Sequence, residues 1–236
     1  NAPGCTGEML LAARQVGADL VDMEKIQCQP GCPAGRTYRV RLHNEPNRFI
    51  LVNHQGQRFI REDARRDILR DAVMALPEKQ AFIIVDDVGL RQYNQLIQKE
   101  TVLGVETGDA FAALTVEDLA QQLKIPTKAL ETTLSHYNDA VAIQSDRLGK
   151  DMTFCSPIAT PPFWACYAAM TRHASEGGVR TDADGRVLRE DGTPIAGLWA
   201  AGEVTGGLHG NNQMGGNGLT DALTFGRLAA EAIARN

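Results

Sequence analysis

Two stretches of this sequence concentrate residues capable of chemistry. Between Gly202 and Gly218 the run GEVTGGLHGNNQMGGNG places seven glycines among 17 residues. So dense a run excludes helix and strand and lets backbone approach a ligand closely. Ahead of it, Leu198-Trp199-Ala200-Ala201 is an apolar run of strand length, and Gly202 breaks it. Behind it the period becomes helical, with Leu219, Ala222, Leu223, Gly226, Ala230 and Ile233 along one side. Asn217 is a good N-cap for that helix, and Asp221 in the first turn suits its positive end. A strand, a glycine-rich loop and a helix N-terminus together make a site for an anion or an electron-rich ligand, because unpaired backbone N–H groups face whatever sits there. The loop is too long for the GxGxxG dinucleotide fingerprint, and a plain glycine-rich connector has the same composition. The second stretch, RFIREDARRDILRD from Arg58 to Asp71, interleaves arginines with acids. Such a pattern is ordinarily a solvated helix face laced with i,i+4 pairs.

Composition bounds what these stretches can serve. At 236 residues, with 43% hydrophobic and 22% charged residues, the chain can hold one large domain or two small ones with ample core. A net charge of −5 argues against nucleic acid as the main partner. No apolar run approaches the roughly 20 residues of a membrane helix. The five cysteines, Cys5, Cys28, Cys32, Cys155 and Cys166, show no zinc-like pairing, and no metal site is expected.

The elements that must position these residues follow in order. Residues 7–17 are expected to form a helix with Met9, Leu10, Ala13 and Val16 on one side, and 18–27 a strand. Residues 49–60 read as a β-hairpin with Gly56 in its turn, and Arg61–Met74 as a charged helix. Gln80–Val88 is a buried strand ended by Gly89, and Leu90–Lys99 a helix. Thr115 and Asp118 form a capping-box-like helix start, and Pro126 opens another helix through Val141. That helix pair is no DNA reader, since its second member carries one lysine and two acids. Prolines 157, 161 and 162 precede an aromatic strand over 163–170, and a hairpin with an Asp/Gly turn leads from Gly177 to Gly197.

The run Gly197-Leu198-Trp199-Ala200-Ala201-Gly202-Glu203-Val204-Thr205-Gly206-Gly207-Leu208-His209-Gly210, followed by Gly215-Gly216-Asn217-Gly218-Leu219, resembles the C-terminal flavin-binding signature of the fumarate reductase/succinate dehydrogenase flavoprotein family, nearest its soluble flavocytochrome c branch. The resemblance covers nearly the whole chain and is tightest over 156–234. It implies FAD as cofactor, with the glycine loop along the isoalloxazine and the helix start facing N1 and O2, where negative charge appears on reduction. Glu203, on the ribityl side, with His209, Gly210, Gly216, Asn217, Gly218 and Leu219, would then be the cofactor contacts. The fold it implies is α+β: a capping domain at 27–170, flanked by partial FAD-binding segments at 1–26 and 171–236.

The family resemblance also assigns chemistry outside the loop. Arg58-Phe59-Ile60-Arg61-Glu62 followed by Arg66-Asp67 is similar to the family's strand-to-helix passage, in which the arginine four after the glutamate donates a proton to the substrate carbon. Arg66 takes that place, and a dry site with neighbouring carboxylates lets a guanidinium relay a proton. Gln29 stands where the family has a carboxylate-binding histidine. Gln213 stands where it has a second arginine, a loss worth on the order of 2–5 kcal/mol for a desolvated pair. His173 lies near the place of another substrate histidine, with one residue more than the usual spacing. Much of a dicarboxylate clamp is thus missing while Arg66 remains. The expectation is an FAD-dependent reductase or dehydrogenase acting by hydride exchange at flavin N5 on an unsaturated carboxylic acid or enone-like substrate other than fumarate. The GxGxxG half of the family's cofactor site has no counterpart in the chain. The chain is therefore expected to be part of a longer or two-chain protein, with the other half of the FAD domain or an electron-donor protein as partner, and to be inactive in isolation. The alternative is a non-catalytic capping-domain remnant that binds no flavin.

Overall fold

The run Gln80-Ala81-Phe82-Ile83-Ile84-Val85 has no polar face, so a strand built from it must be covered on both sides. A computed structural model, which describes residues 4–36 and 38–235, shows how that requirement is met. Its elements are α1 (Glu8–Gln15), β1 (Leu20–Val21), β2 (Ile26–Gly31), β3 (Ile50–Val52), α2 (Arg66–Met74), β4 (Gln80–Val85), α3 (Asp87–Arg91), α4 (Gln95–Thr107), β5 (Ala110–Ala113), α5 (Val116–Leu123), α6 (Thr127–Ile143), β6 (Phe163–Ser175), β7 (Gly178–Val179), β8 (Arg186–Leu188), β9 (Pro194–Trp199) and α7 (Asn217–Arg235). They divide into two units, one comprising residues 29–171 and the other residues 1–28 with 172–236. The architecture is a mixture of helix and sheet.

In the central unit, β3, β4 and β6 are joined antiparallel in the order β6-β4-β3, with β2 and β5 also pairing with β6. The register sets Phe82 opposite Tyr167 and Ile83 opposite Cys166. Because side chains alternate across a strand, Ile50, Val52, Phe82, Ile84 and Ala165 face one side, where Leu119, Leu123, Leu130, Leu134 and Tyr137 of α5 and α6 cover them. Leu51, Ala81, Ile83, Val85, Cys166 and Ala168 face the other, under Leu69, Val73, Leu90 and Ile97 of α2, α3 and α4. Thr115 caps α5 as expected, accepting the Asp118 N–H at 3.0 Å. Gly89 does not end β4. Asp86 ends the strand and caps α3, its side chain accepting the Gly89 N–H at 2.8 Å. The helix expected over 90–99 is two helices, because Asn94 caps a new one by accepting the Ile97 N–H at 3.1 Å.

The expected helix from Arg61 begins five residues later, at Arg66, for an electrostatic reason. Arg58 donates to Glu62 at 2.9 and 2.7 Å and to Asp146 at 2.7 Å, and Lys150 lies 3.1 Å from Glu62. All four side chains are at most 4% exposed. Glu62 also accepts the Leu51 N–H at 3.0 Å, and Lys150 donates to the Phe49 carbonyl at 2.7 Å. Arg58 and Lys150 both lie 5.1 Å from the centre of the Tyr137 ring. With its side chain drawn into this network and onto the β3 backbone, Glu62 keeps its segment out of the helix.

In the other unit, β1 pairs antiparallel with β7, and β8 with β9. Ala18, Val179, Val187 and Ile195 form a small core, with Leu10, Ala13, Leu20 and Leu198 against it. Of the four apolar residues expected on one side of α1, Leu10 and Ala13 pack inward, whereas Met9 and Val16 are 72% and 53% exposed. The strand expected over 18–27 is interrupted at Asp22, whose φ of 59° and ion pair to Lys25 at 2.6 Å make a turn. At Gly178 an added Cβ would stand 2.2 Å from the Val204 carbonyl oxygen, so only glycine lets β7 touch the segment that follows β9.

The buried network is the most vulnerable point of the central unit. Glu62→Gln leaves two buried cations short of charge and is expected to cost about 3–5 kcal/mol in urea unfolding. Burial alone would raise the pKa of Asp146, but its hydrogen bonds from Arg58 outweigh that and hold it below the ordinary value. A lowered folded-state pKa contributes stability above the unfolded value of about 3.9 and loses it as pH falls through the folded value. The stability gap between the wild type and Asp146→Asn should therefore narrow when unfolding is measured at about pH 3 rather than at neutral pH.

Candidate functional site

The glycine-rich segment belongs to the unit made of residues 1–28 and 172–236. Its first half is held by backbone. Thr205 bridges Val179 in parallel, and the Gly206 N–H donates to the Val179 carbonyl at 3.1 Å. A Cβ at Gly206 would lie 2.5 Å from the Gly178 nitrogen and 2.7 Å from the Val21 carbonyl oxygen. Backbone from Gly206, Gly207 and Leu208 therefore forms one wall of a cavity of about 440 Å³, with Val21, Asp22, Arg180, Asp221 and Phe225 among its other lining residues.

The second half of the segment leads into α7. Gly216 takes φ +88°, and Asn217 is the first helical residue rather than the residue before it. Asp221 is buried, and its carboxylate lies 3.2 Å from His209 Nε2. Asp221 therefore fixes the His209 ring, a role its helix position did not suggest. The buried Gln27 side chain donates to the Gln213 carbonyl at 2.8 Å. The Gln213 amide lies over the first turn of α7, where its nitrogen would be 3.2 Å from a Cβ at Gly218. Glu203 is exposed and accepts the Ser175 N–H at 3.0 Å. It also lines a second cavity, of about 290 Å³, together with Cys5, Glu8 and Met9. His173 is exposed near the end of β6.

This surface fits a flavin. Leu208, Met214 and Leu219 are 52%, 70% and 74% exposed, which gives apolar contact area for a flat ring system beside glycine backbone. At the start of α7 the Asn217 and Leu219 N–H groups donate to the Met214 and Gly216 carbonyls, each at 3.1 Å, so what the helix offers the electron-rich pyrimidine edge of a flavin is the positive end of its dipole.

The other expected residues, Gln29 and Arg66, lie in the unit of residues 29–171. Arg66 occupies the first position of α2 and is half-buried, whereas its neighbour Arg65 is 61% exposed and paired with Asp67. Gln29 is buried on β2, where its side-chain oxygen accepts from Arg39 at 2.5 Å. The same Arg39 nitrogen lies 2.9 Å from His43 Nε2. Burial pulls the Arg39 pKa below its ordinary value, and the charges of Arg41 and Arg66 act in the same direction. Arg41 itself is clamped by both oxygens of Glu100. Sequence reasoning did not find Arg39, His43 or Gln27. An Arg-Val-Arg alternation is the only local trace of the first, and nothing local marks the other two.

Among the described residues there is no group of three or more histidines, cysteines or carboxylates arranged to hold a metal ion. No helix among them is long and apolar enough to cross a membrane.

Comparison with known proteins gives the same direction. The chain is 37% identical over 236 residues to the NADH:fumarate oxidoreductase of Klebsiella pneumoniae (strain 342), covering 100% of this chain and 25% of that protein. It is 34% identical over 234 residues to the NADH:acrylate oxidoreductase of Vibrio harveyi, covering 98% and 23%. Among solved structures, the open conformation of a flavocytochrome c3 fumarate reductase superposes with a TM-score of 0.72 at 31% identity, covering 98% of this chain and 40% of that one. The chain thus spans about a quarter of the length of the two curated relatives. A family model described as FAD binding domain matches residues 1–219. This match over most of the sequence leads to one assignment: the chain belongs to the FAD binding domain family.

Proposed function

We propose that the chain forms the flavin-contacting and substrate-protonating part of an FAD-dependent oxidoreductase that reduces the carbon–carbon double bond of an unsaturated carboxylic acid. The observation that carries this reading is the placement of Arg66. The buried Arg58–Glu62 network delays the start of α2 so that a half-buried guanidinium opens the helix. FAD, which the glycine segment and the start of α7 would hold, would supply the hydride for one carbon of the alkene. Arg66 delivers the proton to the adjacent carbon, and its planar fork holds that proton in a fixed direction.

On this reading the unit of residues 29–171 is a capping domain of the fumarate reductase type. Gly216, Asn217, Gly218 and Leu219 contact the flavin's pyrimidine edge, while His209, Gly210 and Glu203 contribute the surrounding cofactor surface. His209 is the residue best prepared for this, because Asp221 holds its ring. Gln213, an amide beside the first turn of α7, offers hydrogen bonds and no charge, and this favours a substrate with one carboxylate. Partners are then the small carboxylate and a source of electrons.

Arg66→Lys in the FAD-loaded protein is expected to slow turnover of an enoic acid by about two orders of magnitude or more, while reduction of the flavin by an electron donor keeps its wild-type rate. If Arg66 only packs on the helix surface, the exchange changes stability by under about 1 kcal/mol and leaves turnover alone. Gln213→Arg is expected to raise kcat/KM for fumarate relative to a monocarboxylic enoate, measured by steady-state competition. Fumarate already the better substrate of the wild type would overturn the one-carboxylate reading.

A further inference from the structure

Arg39 is an anomaly among the arginines of its unit. Arg36 is paired with Asp109 at 3.1 Å, Arg41 with Glu100, Arg48 with Glu45 at 2.6 Å and Arg58 with Glu62 and Asp146. Arg39 is half-buried like several of these, yet its hydrogen-bond partners are the neutral Gln29 amide and the His43 ring. Its Nε is buried and has no hydrogen-bond partner among the described residues. Burial, Arg41 and Arg66 all oppose its charge, and only the fields of Cys32 and Glu100 support it. Glu100 is already engaged by two Arg41 nitrogens. A partly desolvated guanidinium without a carboxylate is costly to keep. It becomes favourable when an anion completes it, because guanidinium–carboxylate pairs form two parallel charge-assisted hydrogen bonds.

We infer that Arg39, oriented by Gln29 and His43, is the anchor for the substrate's carboxylate. The geometry around it explains each neighbour. Gln29 accepts through its amide oxygen, so it directs the guanidinium without neutralising it, which a carboxylate at this position would do. His43 Nε2 lies against the same terminal nitrogen and limits its swing. Arg66 belongs to the same unit, and its charge is felt at Arg39. The inference rests on the reading of the chain as part of an enoic-acid reductase, and it names the residue that selects acids over neutral alkenes.

The test uses the FAD-loaded protein and a panel of short 2-enoic acids, each paired with its primary amide, which has the same shape and no charge. Binding is read from the perturbation of the flavin absorption spectrum, and turnover by steady-state kinetics. For the wild type, acids should bind more tightly than their amides. Arg39→Gln should weaken acid binding on the order of a hundredfold, leave amide binding nearly unchanged, and raise KM far more than it lowers kcat. Arg39→Lys, which keeps the charge but not the fork, should fall between the two and covers the case in which the glutamine variant does not fold. Unchanged acid binding in both variants overturns the inference, as does equal loss for acids and amides, or a wild type with no preference for acids. A wild type that binds acids through Arg39 but never reduces them overturns the reductase reading and leaves the anchor standing.

Discussion

The central unit depends on one buried electrostatic knot. Two cations, Arg58 and Lys150, and two carboxylates, Glu62 and Asp146, are removed from water together. Such groups gain little net stability from one another, because desolvation consumes most of the attraction. Their effect is on geometry. Further bonds extend the knot to the backbone: Glu62 accepts the Leu51 N–H of β3, Lys150 donates to the carbonyl of the residue preceding β3, and Asp146 accepts the Lys150 N–H four residues on. Taking any one group out would strand charge in a dry interior, so the passage from β3 to α2 has a single arrangement. Arg66, at the first turn of α2, takes its position from that arrangement.

The unit of residues 1–28 and 172–236 is specified by a different constraint, the closeness of backbone. Gly178 and Gly206 approach the 204–205 segment and the β1 carbonyl at distances that no side chain allows. This leaves peptide groups as the wall of the cavity beside Arg180 and Asp221. Backbone at such a wall does not change rotamer, which suits a cofactor that must be held in one orientation while its charge changes. The His209–Asp221 contact adds a fixed ring at the same segment. A small core of four buried residues carries this unit, far fewer than support the central sheet.

The charges of the central unit sort by partner. Most arginines have acids, and those pairs account for the acid-rich look of the sequence. Arg39 has neutral partners, and Arg66 opens α2.

The sequence by itself determined the elements whose signals are local. Thr115 as a cap, the strand beginning at Gln80, the helix opened by Pro126 and the helix after Gly216 all follow from capping chemistry, unbroken apolar runs or a 3.6-residue period. The glycine spacing from Gly197 to Leu219 was enough to indicate the flavoprotein family. Only the tertiary structure decided which charges are buried. Arg58, Arg61, Arg65 and Arg66 look alike in a run of alternating charge, yet Arg58 is sealed in the interior, Arg61 and Arg65 pair with acids two residues on, and Arg66 opens α2. The partners that separate them, Asp146 and Lys150, lie more than 80 residues away. Arg39 acquires its character from Gln29 and His43, ten and four residues away, but the pairing of their side chains with its guanidinium is set by the fold and by no local pattern. Burial and long-range pairing set the energy of a charge, and neither is written in its immediate neighbours.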